Sequence, residues 1–563
     1  MLESIRFDWR RLVRLGLLAG VIALGVSVIG MVEVFSERWL IGGVLTVGHL
    51  LLFAAPAGMG YLCARKSEGQ RGGVLASGLI AGLLSALPLI GLVFLARAVD
   101  LRELGLVNVS PALIDLLTFN RGSVAGSLIL MGLAGVIGLV GSAVYVMPDS
   151  IQRPLMSGVL WTFGVGLFAA VVIAVLRNLF GRWAVRLLFT SESLKPGVAL
   201  GLFVVAAAVN AWWRARGERF RGRLAKAVPM QPQQLRLAGL ALGILLTLAL
   251  PLLLGTFLSE VADVVGLYIL MGAGLNIVVG FAGLLDLGYV AFYAIGAYTM
   301  AALTSQTELG LGLSFWSALP LAVLAAVAAG FILGIPVLRM RGDYLAIVTL
   351  GFGEIVRILA LSDFLKPLIG GAQGIQKIPN ISIAGLEFVK PEHLYYFILA
   401  GCLLVFFISW RLRDARLGRQ WMAMREDEDV AEAMGINLHK TKLLAFTIGA
   451  SFAGLAGAIF APKLSAIFPH SFNLIVSINA LCLIIVGGMG SLPGVIVGSL
   501  ILVGLPELLR EFTEYRLLIY GVLLIVMMIV RPEGFWPSEV RRRELHVGEE
   551  ALPAGGERPV ESV

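Results

Sequence analysis

The sequence predicts an all-α polytopic integral membrane protein, a helical bundle of about 14–16 membrane segments, some of them re-entrant. Three observations carry this. Of 563 residues, 58% are hydrophobic and only 14% charged, against about a quarter charged in soluble domains. The apolar residues gather into blocks of about 15–25, close to the roughly 20 that a helix needs to cross a bilayer. Glycine is abundant, at 68 residues, and small residues let membrane helices approach closely. A transmembrane barrel would instead show short segments of alternating polarity.

In chain order, the first block covers 15–33. Others follow near 40–63, 73–96, 124–147, 155–176 and 197–213. The basic stretch 214–236, with Pro229 and Pro232, reads as a cytoplasmic linker between two membrane units. The second unit has blocks near 237–255, 261–281, 284–304, 316–337, 344–362 and 394–410. A charged stretch, 411–442, interrupts them. Blocks near 443–462, 473–487, 495–509 and 516–530 complete the series. The short pair 473–487 and 495–509 suits a re-entrant hairpin. The tail 537–563 is rich in Arg, Gly, Pro and Glu and is expected to be cytoplasmic and disordered.

Basic residues mark the cytoplasmic side of a membrane protein. They assign to that side the N-terminus (Arg6, Arg10, Arg11, Arg14), the 64–72 loop, the 214–236 linker, Arg339 and Arg341, the 411–442 loop and the C-terminal 541–543 run. An even number of crossings separates each from the next. One loop dissents: 177–196 carries Arg177, Arg182, Arg186 and Lys195, yet parity puts it outside.

Several function classes drop out. The net charge of +8 is spent between spans and does not imply nucleic acid. Cys63, Cys402 and Cys482 sit in or beside apolar blocks, and the five histidines form no ligand cluster, so neither metal nor cofactor is expected. The chain has no Gly-Lys dipeptide and therefore no GxxxxGK[ST] phosphate loop. No nucleophile elbow or catalytic dyad is visible, which disfavours a membrane enzyme.

Ionisable residues at membrane depth are costly and mark function. Asp286 follows the Gly280 and Gly283 break; Asn276 precedes it and Gly288 follows. A purely structural reading makes Asp286 the cap of the next helix. Glu354 and Arg357, at i and i+3, are spaced to pair on one helix face. Gly351 and Gly353 beside them read as an interruption of a span. These residues are candidates for a translocation path or gate. Gly487, Gly488, Gly490, Pro493 and Gly494 suggest another broken helix. Within 411–442, Trp421, Met422 and Met424 precede Arg425, Glu426, Asp427, Glu428 and Asp429. Val430, Ala431, Glu432, Ala433 and Met434 continue one helical pattern, stopped by Gly435, with Asn437 capping the next helix. A membrane-surface helix carries basic residues on its polar face; this one is acidic, which favours a protein partner.

Four stretches are similar to the permease subunits of branched-chain amino-acid ABC importers, the LivM type: GLNIVVGFAGLLDLGYVAFYAIGAYTMAAL (274–303), RGDYLAIVTLGFGEIVRI (341–358), GRQWMAMREDEDVAEAMGINLHKTKLLAFTIGASFAGLAGAIFA (418–461) and IIVGGMGSLPGVIVGSLIL (484–502), with RPEGFW closing the core. The resemblance covers 237–536 and makes residues 1–213 an N-terminal membrane extension. It implies a bacterial inner-membrane assembly with a second permease, two ATPase subunits and an extracytoplasmic binding protein. In such importers a cytoplasmic loop with an EAA-type motif and a glycine seats its helix in the ATPase. The matching residues are Asp429, Val430, Ala431 and Gly435, with Asp for the leading Glu and Val for the first Ala. Trp421, Met424, Arg425, Asp427 and Glu432 belong to the same coupling element. Related permeases carry urea or short amides, and a stand-alone secondary transporter is the alternative from another class.

Overall fold

The computed structural model describes residues 9–66, 71–227, 232–337, 340, 342–383, 385–508 and 515–537. Arg339, Arg341, the 541–543 run and nearly all of the expected tail lie outside these residues. The chain divides into two compact units, Met1–Gly243 and Ile244–Val563.

The first unit contains α1 (Trp9–Val28), α2 (Met31–Val34), β1 (Trp39–Ile41), β2 (Leu45–Thr46), α3 (Val47–Lys66), α4 (Arg71–Ala98), α5 (Pro111–Leu117), α6 (Ser123–Val146), α7 (Asp149–Leu167), α8 (Ala169–Phe180), α9 (Arg182–Leu188), β3 (Phe189–Thr190), β4 (Ser193–Leu194) and α10 (Pro196–Ala227). Helices α1, α3, α4 and α6 pack through small residues: Gly60 lies against Gly138, Gly82 against Ala134, and Gly78 against Ser142. Hydroxyls in these spans bond back to their own helix, as Ser27 Oγ to the Ala23 carbonyl (2.8 Å) and Ser85 Oγ to the Gly82 carbonyl (2.6 Å). Such bonds satisfy a buried donor without tying helices together.

Three of the segments between helices, 29–46, 99–122 and 177–196, are linked at one end of this unit. A small sheet runs β2-β1-β4-β3, with β1 and β4 parallel at Ile41 and Leu194. The Asn108 side chain donates to the Ile29 carbonyl (2.8 Å). The dissenting 177–196 stretch therefore shares an end with the 29–46 loop, which is what the crossing parity requires. Two expectations change. The block at 40–63 starts as a strand pair. The block at 155–176 is not one straight span: α7 and α8 bend by 78° after Leu167. Gly164 and Gly166 weaken the last turn of α7, and Arg38 donates to the Leu167 carbonyl (2.9 Å), fixing that end beside the sheet. The basic stretch expected as a linker continues α10 as helix through Ala227.

The second unit begins within α11 (Pro232–Leu275), which is broken at Gly255. Pro251 has no N–H to give the Thr247 carbonyl; Tyr395 Oη donates to it instead (3.0 Å). A π-helical turn, Asn276–Phe281, ends α11. There follow α12 (Val290–Thr304), α13 (Phe315–Val337), α14 (Asp343–Leu361), α15 (Lys366–Ile369), β5 (Ser382–Ile383), β6 (Leu386–Glu387), α16 (Pro391–Asp414), α17 (Arg416–Glu426), α18 (Glu428–Ala433), α19 (Leu438–Leu464), α20 (Leu474–Gly487), α21 (Leu492–Ser499), a second π-helical turn (Leu500–Gly504), α22 (Leu505–Leu508) and α23 (Arg516–Val530).

Helix α19, about 40 Å long at 1.5 Å per residue, fixes two ends of this unit. At its start, Trp421 Nε1 donates to the Thr441 carbonyl (2.9 Å). At its far end, Ile378 N–H donates to the Ser465 carbonyl, and Ile375 and Ile467 exchange backbone bonds. Ser305, just past α12, donates to the Gln376 carbonyl (2.7 Å) at that same far end. Among the described residues, eleven helices are long and apolar enough to cross a membrane, or up to twelve if the bent pair counts as one span. Four shorter apolar helices, including Val290–Thr304 and Leu492–Leu508, supply the remainder. Part of the expected 14–16 segments is thus made of half-length pieces. The short pair near 473–509 is a helical hairpin, α20 and α21, with its tip at 488–491.

Candidate functional site

The stretch expected to be a coupling element is two helices, α17 and α18, where one was expected. Asp427 leaves the helical region (φ −157°, ψ 116°), and its Oδ1 accepts from the N–H groups of Asp429 (2.9 Å) and Val430 (3.0 Å). It is the N-cap of α18, which splits the run 421–434 at that residue. The stop at Gly435 is as the sequence reads, with φ +85°, a backbone that favours glycine. Asn437 caps α19 by accepting from Lys440 N–H (3.1 Å).

One face of this element is rooted in the unit. Trp421, Met424 and Ala431 are buried. Lys442 of α19, almost wholly buried, pairs with Glu428 at 2.7 Å. The other face is open: Val430 is 58% and Met434 79% exposed, and Glu426, Asp427, Asp429 and Glu432 are exposed around them. An apolar centre with an acidic rim, held by a buried root, has the anatomy of a docking surface.

Arg425 points the other way. Its Nη1 donates to the Gly280 carbonyl (2.8 Å), while Nη2 pairs with Glu426 (3.0 Å). Gly280 belongs to the π-helical turn, whose Asn276 accepts through Oδ1 from Gly490 N–H (2.9 Å) in the second break. The C-terminal RPEGFW stretch lies on this second break too: Phe535 and Trp536 N–H groups donate to the Val486 and Gly487 carbonyls (2.9 Å each). Both breaks therefore lie at the same end of the unit as α17 and α18.

From the first break the chain turns back through 282–289 without regular structure. Asp286 is fully buried there. Its Oδ1 accepts from Gly288 N–H (2.9 Å), and Oδ2 has no partner among the described residues. Asp286 does not cap α12, which starts at Val290 after Tyr289; the Val290 N–H is instead met by Ser477 Oγ of α20 (2.9 Å), and Tyr289 Oη donates to the Gly449 carbonyl of α19 (2.7 Å). Gly449 is near the middle of α19, so α12 begins midway between the two ends.

Helix α14 packs against this irregular stretch. Thr349 Oγ1 accepts from Leu287 N–H (3.0 Å). A Cβ on Gly288 would collide with the Thr349 backbone, and one on Gly353 would stand 3.3 Å from the Gly288 Cα. Gly351 and Gly353 do not interrupt α14, which is continuous. Gly353 gives the close approach to Gly288, while Gly351 faces open space. Glu354 and Arg357 do pair, at 2.8 Å, each side chain about a third exposed. They lie on the outward side of α14, among exposed Ile347, Ile355 and Ile358. The structure thus brings Asn276, Asp286, Gly288 and Gly353 close to the helix breaks and leaves Glu354, Arg357 and Gly351 on an outer face. Sequence reasoning missed Thr349 and Ser477, polar residues in apolar spans that serve the chain 282–290.

A bundle of apolar helices, broken at two places beside the α17–α18 element, has the class features of a polytopic helical membrane protein. Residues 257–530 match the family described as branched-chain amino acid transport system / permease component. Over 317 residues the chain is 44% identical to the high-affinity branched-chain amino acid transport system permease protein LivM of Escherichia coli (strain K12), covering 52% of this chain and 73% of the relative. It is 24% identical over 323 residues to the probable branched-chain amino acid transport permease protein LivM of Methanocaldococcus jannaschii, covering 49% and 91%. A high-affinity permease named LivH, from Salmonella typhimurium, is 25% identical over 288 residues, covering 47% and 90%. No solved structure matches. The chain belongs to the permease family of branched-chain amino-acid ABC transport systems and is a multi-pass membrane protein.

Proposed function

We propose that this chain is one of two different permease subunits in an ABC importer that carries branched-chain or related neutral amino acids inward. ATP is hydrolysed on two partner ATPase subunits, and an extracytoplasmic binding protein delivers substrate. Both termini are cytoplasmic, and 1–213 is an N-terminal membrane extension to the transporting core. The observation that carries this reading is the α17–α18 element, an acidic and apolar docking face without an energy source of its own in the chain.

In this reading, closure of the ATPase pair displaces α17 and α18, and the permease pair passes between outward-open and inward-open packings. Direction follows because substrate affinity differs between the two. Asn276, Asp286 and Gly288 lie where the helices are broken, the arrangement tolerated at depth beside a cavity or inside protein. The Glu354–Arg357 pair supports a path along α14, since a partly exposed ion pair facing lipid is costly. Together with Gly351 it would meet the second permease or the aqueous path.

Asp429→Arg reverses a charge in the first turn of α18 and on the docking face. It should leave the protein inserted and cut ATP-driven leucine uptake by roughly tenfold or more, within the usual range of coupling energies. Uptake at the normal level, or uptake driven by an ion gradient without ATP, overturns the proposal.

A further inference from the structure

We infer that Arg425 is the positioning residue that transmits movement of the docking element to both helix breaks at once. The inference rests on the function proposed above and adds the route by which the movement enters the bundle. Three observations on separate elements carry it.

First, the guanidinium has two partners that belong to different parts of the machine. Nη2 holds Glu426, which is 60% exposed on the docking face, and Nη1 holds the Gly280 carbonyl inside the π-helical turn. A partner that engages Glu426 acts on the same rigid, planar group that grips Gly280. Second, the glycines of the first break make room for this side chain. A Cβ on Gly283 would lie 2.5 Å from Arg425 Cγ, and one on Gly280 would meet the Asn276 side chain and Gly490 N, the latter at 2.7 Å. Third, the connection continues. Asn276 accepts from Gly490 N–H, and a Cβ on Gly490 would stand 3.6 Å from Arg425 Nη1. The arginine therefore bonds the first break directly, and Asn276 of that same π-helical turn ties it to the second. Asp429 and Val430, by contrast, give their N–H groups to the Asp427 side chain in the cap of α18. The docking element thus has one set of residues that meets the partner and one that meets the breaks, and Arg425 bridges them.

The test is hydrogen exchange on the complete complex with its ATPase subunits, with and without ATP. In the wild type, ATP should change protection in α17–α18 and in both breaks, 276–290 and 486–494. In Arg425→Gln, α17–α18 should still respond, while the response of both breaks falls by roughly tenfold. Arg425→Lys, which keeps the charge but not the fork, should restore part of it. Asn276→Ala should silence the second break alone. Normal ATP responses at both breaks in Arg425→Gln overturn the inference, as does a loss confined to 280–283. If Arg425→Gln does not assemble, Asn276→Ala decides: a second break that still responds to ATP overturns it. Absence of any ATP response in wild-type α17–α18 would instead remove the proposed function.

Discussion

The two units solve the same problem, burial of polar backbone and side chains in an apolar bundle, with a different balance of bonds. In the first unit the buried hydroxyls of Ser27, Ser77 and Ser85 bond within their own helices, and the helices meet through glycine and alanine. In the second, hydroxyls such as Thr304 and Thr447 back-bond as well, but buried bonds also run between elements around the breaks: Tyr289 to Gly449, Ser477 to Val290, Arg425 to Gly280 and Asn276 to Gly490. Bonds within a helix survive when that helix moves as a body. Bonds across elements make the position of one helix depend on another. The first unit is built as a scaffold, and the second as a set of parts whose positions are linked.

The comparison breaks most readily at Gly288. Gly288→Ala drives a methyl into the Thr349 backbone, and should abolish uptake per inserted molecule; uptake close to wild type would show that the 282–290 stretch need not pack on α14. A smaller effect is expected at Glu428→Gln, which leaves Lys442 buried without its counter-charge. Breaking a buried pair typically costs about 3–5 kcal/mol; with Glu428 itself 22% exposed, the loss should be nearer about 2 kcal/mol. Denaturant titration of detergent-purified protein, read at the Trp421 region, measures it. The smallest effect belongs to the scaffold. Ser27→Ala removes one back-bond and should shift stability by less than about 1 kcal/mol, with uptake unchanged; a loss of uptake there would place the first unit in the moving machinery.

What was legible in the sequence was local. Gly435 and Asn437 end and start helices through bonds three or four residues away, so their roles show in composition. The Glu354–Arg357 pair follows from helical spacing. Asp427 was legible in kind, an aspartate ahead of helix formers, but lay inside an unbroken helical pattern and its capping bonds decide the matter. The interruption expected at Gly351 and Gly353, and the capping alternative for Asp286, fail for reasons that local sequence does not carry. Gly353 looks like a helix breaker by propensity, yet packing against Gly288 keeps α14 continuous. Asp286 looks like a cap, yet the N–H it might serve is taken by Ser477, 187 residues from Val290 in the chain.

The parallel pairing of Ile41 with Leu194 has a consequence for biogenesis. The first strand leaves the ribosome more than a hundred residues before its partner. At synthesis rates of about 5–20 residues per second, β1 waits on the order of 10–30 s for β4. The sheet closes only after α7 has been threaded and its connection has emerged on the correct side. A misoriented α7 would leave β1 with an open edge, a template for pairing with the wrong strand.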